Sequence, residues 1–211
     1  MRAPCATPGP TRPAGRSPIK GKQLTIRIVA IGGTVNPGST TEQALRLAAA
    51  SAASDGAAVE VFGGPYLAGL PHYRGADHSL ADGAELVEAV RRADGLLIAA
   101  PGYHGTISGL VKNALDYLEE LAGDERPYLD GRAVGLIATA YGDQAAVGTL
   151  LTLRSIVHAL RGWPTPMGAT IRTHQGLFSP EGECLEDRER SQLELVGQQV
   201  RRGAAAFSAG L

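Results

Sequence analysis

GLLIAA at Gly95–Ala100 and AVGLIATA at Ala133–Ala140 are apolar at nearly every position. A strand with one wet face alternates apolar and polar residues. A strand covered on both faces does not, so these two runs read as central strands of a parallel sheet between helical layers. Working outward, further β-branched and aliphatic runs stand at Ile26–Ile31 (IRIVAI), Ala58–Phe62 (AVEVF) and Met167–Ile171. Amphipathic stretches separate them at 39–54, 82–92, 108–121 and 145–161, and another follows the last strand at 187–206. Strand–helix alternation of this kind predicts an α/β fold: a three-layer, doubly wound, five-stranded parallel sheet in the order 2-1-3-4-5. No internal repeat is visible.

The 211 residues suffice for one good core and are short for two ordinary domains. With 28 Gly against 3 Phe, 1 Trp and 6 Tyr, that core must be largely aliphatic. The 44% hydrophobic content excludes wholesale disorder, and no apolar run approaches a membrane span. A net charge of −1 offers no electrostatic attraction for nucleic acid. The two cysteines, Cys5 and Cys184, allow at most one disulfide and no CxxC metal site, and the histidines lack metal-ligand spacing. These features fit a soluble cytoplasmic chain with neither a nucleic-acid nor a membrane partner. Charge is unevenly spread. Residues 1–24 carry five prolines and five basic side chains with no acid, which leaves 15 basic against 21 acidic side chains in 25–211, a net −6. Residues 1–24 therefore read as a disordered basic Pro-rich tail without a signal-peptide core, and 25–211 as the folded domain.

In a sheet of this order, ligands bind beyond the carboxyl ends of strands 1 and 3, where the strand order reverses. The loop after strand 1 reads GGTVNPGSTTE from Gly32 to Glu42. Its glycines permit a tight turn, and the hydroxyls of Ser39, Thr40 and Thr41 fall where a helix begins. Free N–H groups, the positive end of a helix dipole and hydroxyl donors make a phosphate site; a plain capping box of Ser39 with Glu42 uses the same residues. The GxGxxG fingerprint is absent, and Ser39 replaces the lysine of a P-loop, so a terminal monophosphate fits better than a nucleoside triphosphate. The loop after strand 3 reads APGYHGTISG from Ala100 to Gly109, able to lie flat against a planar ligand, with Tyr103 and His104 for stacking or edge contacts. No Ser or Cys nucleophile is paired with His104 by spacing.

GGTVNPGSTTEQAL, APGYHGTISGLVKNALDYL and TAYGDQAAVGTLLTLRSIVHALRGWPTP together resemble the NAD(P)H-dependent FMN reductases of flavodoxin-like fold, over about residues 25–207. The most specific segment is P-x-Y-x-G-x-x-x-G-x-x-K-N-A-L-D, from Pro101 to Asp116. The resemblance implies FMN as cofactor and NAD(P)H as co-substrate. Family members hold the phosphate with a G-S-x-R-x-x-S loop, against which Thr34, Asn36 and Ser39 align here. Asn36 thus stands in place of a charged arginine, and phosphate binding falls to Thr34, Ser39, Thr40, Thr41 and backbone amides, with Asn36 as a neutral donor. By the same resemblance Pro101, Gly102, Tyr103, His104 and Gly105 lie against the flavin ring, and Tyr141 and Gly142 cover it.

The implied activity is hydride transfer from NAD(P)H onto bound FMN and onward to a flavin, quinone or similar small acceptor in ping-pong fashion, with no acid–base residue required. Two alternatives stay open: FMN-dependent oxidation of a small metabolite in biosynthesis, and a flavin-binding electron carrier without catalysis. The resemblance also implies a homodimer or homotetramer, for which the stripe Leu115, Leu118 and Leu121 offers either core or contact. Trp163 is expected as a buried anchor before the last strand, Cys184 as a surface thiol, and Arg74 as a solvated loop charge.

Overall fold

The computed structural model describes residues 25–210, without the side chains of 76–81. The strands are β1 (Arg27–Gly32), β2 (Ala58–Phe62), β3 (Gly95–Tyr103), β4 (Thr106–Ile107), β5 (Ala133–Ala140) and β6 (Trp163–Arg172). The helices are α1 (Thr40–Ser54), α2 (Gly64–Gly69), α3 (Ala76–Arg92), α4 (Gly109–Asp116), α5 (Asp143–Ala159) and α6 (Asp187–Ser208). Five strands pair in parallel in the order β2-β1-β3-β5-β6, while the short β4 folds back antiparallel on the end of β3. Leaving out that hairpin, this is the expected 2-1-3-4-5 order. The basic tail and His78 lie outside the described residues and side chains.

The strand period of two sends alternate side chains to opposite faces. Ile28, Ala30, Leu97, Ala99 and Ile137 meet α1 and α6 through Leu45, Ala48, Val196 and Val200. Val29, Ile31, Leu96, Ile98, Val134 and Leu136 meet the other helical layer through Leu86, Val90, Val111 and Leu153. β5 is buried at every position and β3 as far as Pro101, as their unbroken apolar runs require. Leu115, Leu118 and Leu121 are all buried in the second layer, which places that stripe in the core of the chain.

Some expectations are corrected. The stretch 108–121 is a helix only to Asp116, and Tyr117–Leu121 tightens into a 3-10 turn. The last strand begins at Trp163 rather than Met167. Its two prolines, Pro164 and Pro166, lack a donor but sit on a sheet edge, where none is needed. Trp163 is 59% exposed, with its ring against Phe207, so it is no buried anchor. Cys184 is buried at 1% exposure beneath the segment leading to α6, and burial pushes its thiol pKa up. Neighbouring acidic residues in the sequence concealed that burial.

Arg132, immediately before β5, is the largest fully buried side chain among the described residues. Its guanidinium donates to the carbonyls of Ala93, Tyr128 and Arg91 at 2.9–3.0 Å, tying the end of α3 to the foot of the sheet. Burial pulls its pKa down to about 10. No helix among the described residues is long and apolar enough to cross a membrane.

Candidate functional site

β1, β3 and β5 end at one rim of the sheet, and the loops beyond them enclose a cleft of about 340 Å³. The chain leaves β1 through Gly32, whose φ of +152° brings the backbone so close to β3 that a Cβ would stand 2.1 Å from the Ala99 carbonyl oxygen. Thr34 then closes a small turn: its hydroxyl accepts from the Asn36 N–H and donates to the Asn36 carbonyl, both at 3.2 Å. Ser39 caps α1 by accepting from the Glu42 N–H at 3.3 Å, and the Glu42 carboxylate reaches back to the Gly38 N–H at 3.3 Å. Arg46 donates to the other Glu42 oxygen from Nε and Nη2 at 3.0 and 2.7 Å. The capping arrangement is therefore real, and it leaves backbone donors over. The N–H groups of Ser39, Thr40 and Thr41 have no acceptor among the described residues, and they sit at the positive end of a 15-residue helix.

The Thr41 hydroxyl lies 2.6 Å from that of Thr139 near the end of β5, with both residues buried. That bond fixes the start of α1 against the sheet. Thr34, Asn36, Gly38, Ser39, Thr40 and Thr41 form one wall of the cleft.

The opposite wall is Pro101, Gly102 and Tyr103 at the end of β3. A Cβ on Gly102 would fall 2.3 Å from Thr149 Oγ1 in α5, so glycine alone lets β3 pack this close. Tyr103 pairs with Thr106 across a two-residue turn, His104-Gly105, with φ of +48° and +91°. Positive φ at both positions is the tight hairpin turn that matches strand twist. It carries His104 and Gly105 to the hairpin tip, outside the lining. Tyr141 lines the cleft from the end of β5, whereas Gly142 caps α5 outside it. Arg74, between α2 and α3, does not line the cleft.

Nine of the twelve residues proposed from the sequence thus share one cleft, and the structure adds Gly38, Thr139, Ala140 and Thr173. Thr139 is the single hydroxyl in AVGLIATA and was the available signal. Thr173 carried none, since it follows β6 and joins the site because its N–H donates to the Ala140 carbonyl at 2.7 Å. No lining side chain is charged. Two aromatics stand open at the mouth, Tyr103 at 51% and Tyr141 at 81% exposure. Among the described residues no group of His, Cys, Asp or Glu is placed to hold a metal ion.

The chain is 35% identical over 108 residues to the FMN-dependent NADPH-azoreductase of Staphylococcus haemolyticus (strain JCSC1435), covering 50% of this chain and 53% of that one. It spans about half the length of such curated relatives. Its fold superposes on the apo crystal structure of the NADH:FMN oxidoreductase EMOB with a TM-score of 0.63 at 26% identity, over 84% of this chain and 89% of that one. It superposes on FerB, a flavoenzyme NAD(P)H:(acceptor) oxidoreductase from Paracoccus denitrificans, with a TM-score of 0.69 at 16% identity, over 85% and 99%, a likeness of fold. The sequence model of one family, described as NADPH-dependent FMN reductase, matches residues 26–175, the segment that holds all the strands and all three loops of the cleft. The chain belongs to the NADPH-dependent FMN reductase family.

Proposed function

We propose that the protein is an FMN-dependent oxidoreductase that takes hydride from NAD(P)H and passes electrons to a small acceptor such as a flavin, a quinone or an azo compound. The observation that carries this reading is the neutral cleft at the strand-order reversal, with the unpaired amides of Ser39, Thr40 and Thr41 at one end and two open tyrosines at the other. The donor set suits the cofactor's phosphate: three amides, the Ser39, Thr40 and Thr41 hydroxyls and the α1 dipole all favour an anion without a cationic side chain. Pro101, Gly102 and Tyr103 offer a flat backbone edge and an aromatic face to the flavin ring, and Tyr141 a second aromatic from across the mouth.

When bound, FMN supplies the hydride and electron chemistry. The chain's own residues would bind and orient it: the α1 start would hold the phosphate, Pro101, Gly102 and Tyr103 would lie along the ring, and the tyrosines border the space where a second substrate would enter. One open mouth serves both the pyridine nucleotide and the acceptor in turn, so turnover is ping-pong.

The test is direct. FMN added to the apoprotein is expected to raise its melting temperature and to lose fluorescence on binding. Anaerobic NADPH or NADH is then expected to bleach the bound flavin. Absence of FMN binding would refute the site. Binding without bleaching by either nucleotide would refute the reductase activity and leave the site standing.

A further inference from the structure

A second cavity lies at the other end of the sheet, where α5 ends and β6 begins. Its volume is about 470 Å³, against about 340 Å³ for the cleft, which is room for a small molecule. Asp130, Arg154, His158, Arg161 and Trp163 stand in its walls. Trp163 pairs with Ala133 at the start of β5, whereas the cleft lies at Ala140. At ~3.3 Å per residue, about 23 Å of strand separates the two sites.

Arg161 occupies a position that glycine usually takes. At the end of α5 the Gly162 N–H donates to the Val157 carbonyl at 2.9 Å and the Arg161 N–H to the His158 carbonyl at 3.0 Å. This is a Schellman motif with arginine at the left-handed residue, φ +62°. Gly162 is held to glycine by packing, since a Cβ there would stand 2.8 Å from Val157 Cγ1. The Arg161 guanidinium lies over the Tyr128 ring, 5.3 Å from its centroid, and Tyr128 too has positive φ, +53°. The C-terminal end of a helix dipole attracts cations in general, but it does not call for one on left-handed backbone. Backbone strain of this kind gathers where side chains are held for a purpose.

The charges here are ordered without being neutralised. Arg154 donates through Nη2 to the Pro166 carbonyl at 3.1 Å, and Arg161 is steadied by the tyrosine. Among the described residues neither arginine forms an ion pair, nor does His158. Asp130 is the single acid of the lining, so two permanent cations leave the pocket net positive. Beside them the Trp163 indole is 59% exposed, backed by Phe207 at 5.6 Å between ring centroids. An open indole next to paired guanidiniums suits a ligand that is planar at one end and anionic at the other.

We propose that this pocket binds a nucleoside monophosphate, with the base against Trp163, the phosphate between Arg154 and Arg161, and Asp130 accepting from a sugar hydroxyl. A bare anion leaves the indole unused, and a neutral aromatic leaves two guanidiniums uncompensated. A ligand here stands apart from the cleft, so the proposal does not rest on the flavin reading.

Trp163 is the only tryptophan of the chain, which makes its fluorescence a local reporter. The experiment titrates the full-length protein, free of flavin and in phosphate-free buffer, with adenosine 5′-monophosphate, exciting where adenine does not absorb. Saturable quenching is expected. Adenosine is expected to bind at least about tenfold more weakly, and inorganic phosphate to displace the nucleotide only at about tenfold higher concentration or more, because each keeps half of the contacts. Arg161→Gly places the favoured residue on the left-handed backbone, so it should melt no lower than wild type while losing about tenfold or more in nucleotide affinity. Absence of quenching, including the case of nucleotide bound only in the distant cleft, overturns the proposal. So does equal affinity for adenosine, equal affinity for phosphate, or wild-type affinity in Arg161→Gly.

Discussion

Replacing Asn36 by arginine should tighten binding of FMN and leave riboflavin, which lacks the phosphate, unchanged. The structure makes the substitution clean. Asn36 enters the turn with Thr34 only through its backbone N–H and carbonyl, which the variant keeps. Its φ is not positive, since His104, Tyr128 and Arg161 are the non-glycine residues of that kind among those described, so no strain opposes a longer side chain. The side chain is exposed at the wall of the cleft, beside the α1 start. A hydrogen bond to a charged group contributes about 1.5–3 kcal/mol. Solvent screening at an exposed position argues for the lower half of that range, and ~2 kcal/mol is about thirtyfold in the dissociation constant. Quenching of flavin fluorescence, titrated with FMN and with riboflavin in parallel, reads the effect. The gain should shrink as salt is raised from 0.01 to 0.5 M, because the Debye length falls from ~30 Å to about 4 Å. Equal tightening of riboflavin, or a gain for FMN below about threefold, would refute the placement of the phosphate at this wall.

Other consequences follow from the same geometry. Thr139→Val leaves the buried Thr41 hydroxyl without its 2.6 Å partner and should cost about 1–2 kcal/mol in urea unfolding, together with weaker FMN binding. Gly102→Ala drives a Cβ into Thr149 Oγ1, which already donates to the Ala145 carbonyl at 2.8 Å; a loss of about 2 kcal/mol, or roughly 6 °C in melting temperature, is expected by calorimetry. The native Cys184 thiol should resist a soluble disulfide reagent until the protein is unfolded, and rapid native labelling at that position would contradict its burial. Burial and a hydrogen bond to Glu120 push Tyr73 up to about 12. The folded state then keeps a proton that the unfolded chain releases above its ordinary pKa of 10, so this contribution is whole below pH 10 and is lost as pH climbs toward 12. Tyr73→Phe should flatten the fall of melting temperature across that window.

The central strands were legible because burial on both faces leaves no room for polar residues, and GLLIAA and AVGLIATA have almost none. The cleft was legible for a related reason: glycines and hydroxyls gathered where two such strands end. What escaped was decided by distant contacts. WPTP reads as a turn and forms strand because its prolines fall on an edge. GPYLAG is too short and Gly-rich to announce α2, yet a Cβ on Gly64 would stand 1.7 Å from the Thr34 carbonyl oxygen, so this small helix packs directly against the loop after β1. Arg132 looks like any surface arginine until the fold brings three main-chain carbonyls around it. His104 follows Tyr103 in the sequence, yet the hairpin turn with φ of +48° places it at the tip rather than in the lining of the cleft.

The two ends of the cleft differ in how many contacts hold them, and under the proposed function that difference would suit a cofactor that stays while substrates exchange. At the α1 end several contacts hold the backbone: Gly32 against Ala99, Gly64 against the Thr34 carbonyl, Thr41 to Thr139, and Glu42 between Gly38 and Arg46. Donors held in this way would lose little further freedom on meeting a phosphate, which would let neutral groups and a helix dipole hold an anion without a cation. At the other end the aromatic side chains are half or more exposed, and the His104-Gly105 turn projects beyond them. Tightening this open end should therefore act on substrate exchange and leave cofactor affinity alone. Tyr141→Ala is expected to change the KM for NADPH and for the acceptor while the dissociation constant of FMN moves less than about threefold. A loss of FMN affinity as large as that of Thr139→Val would show that the two ends are not separable.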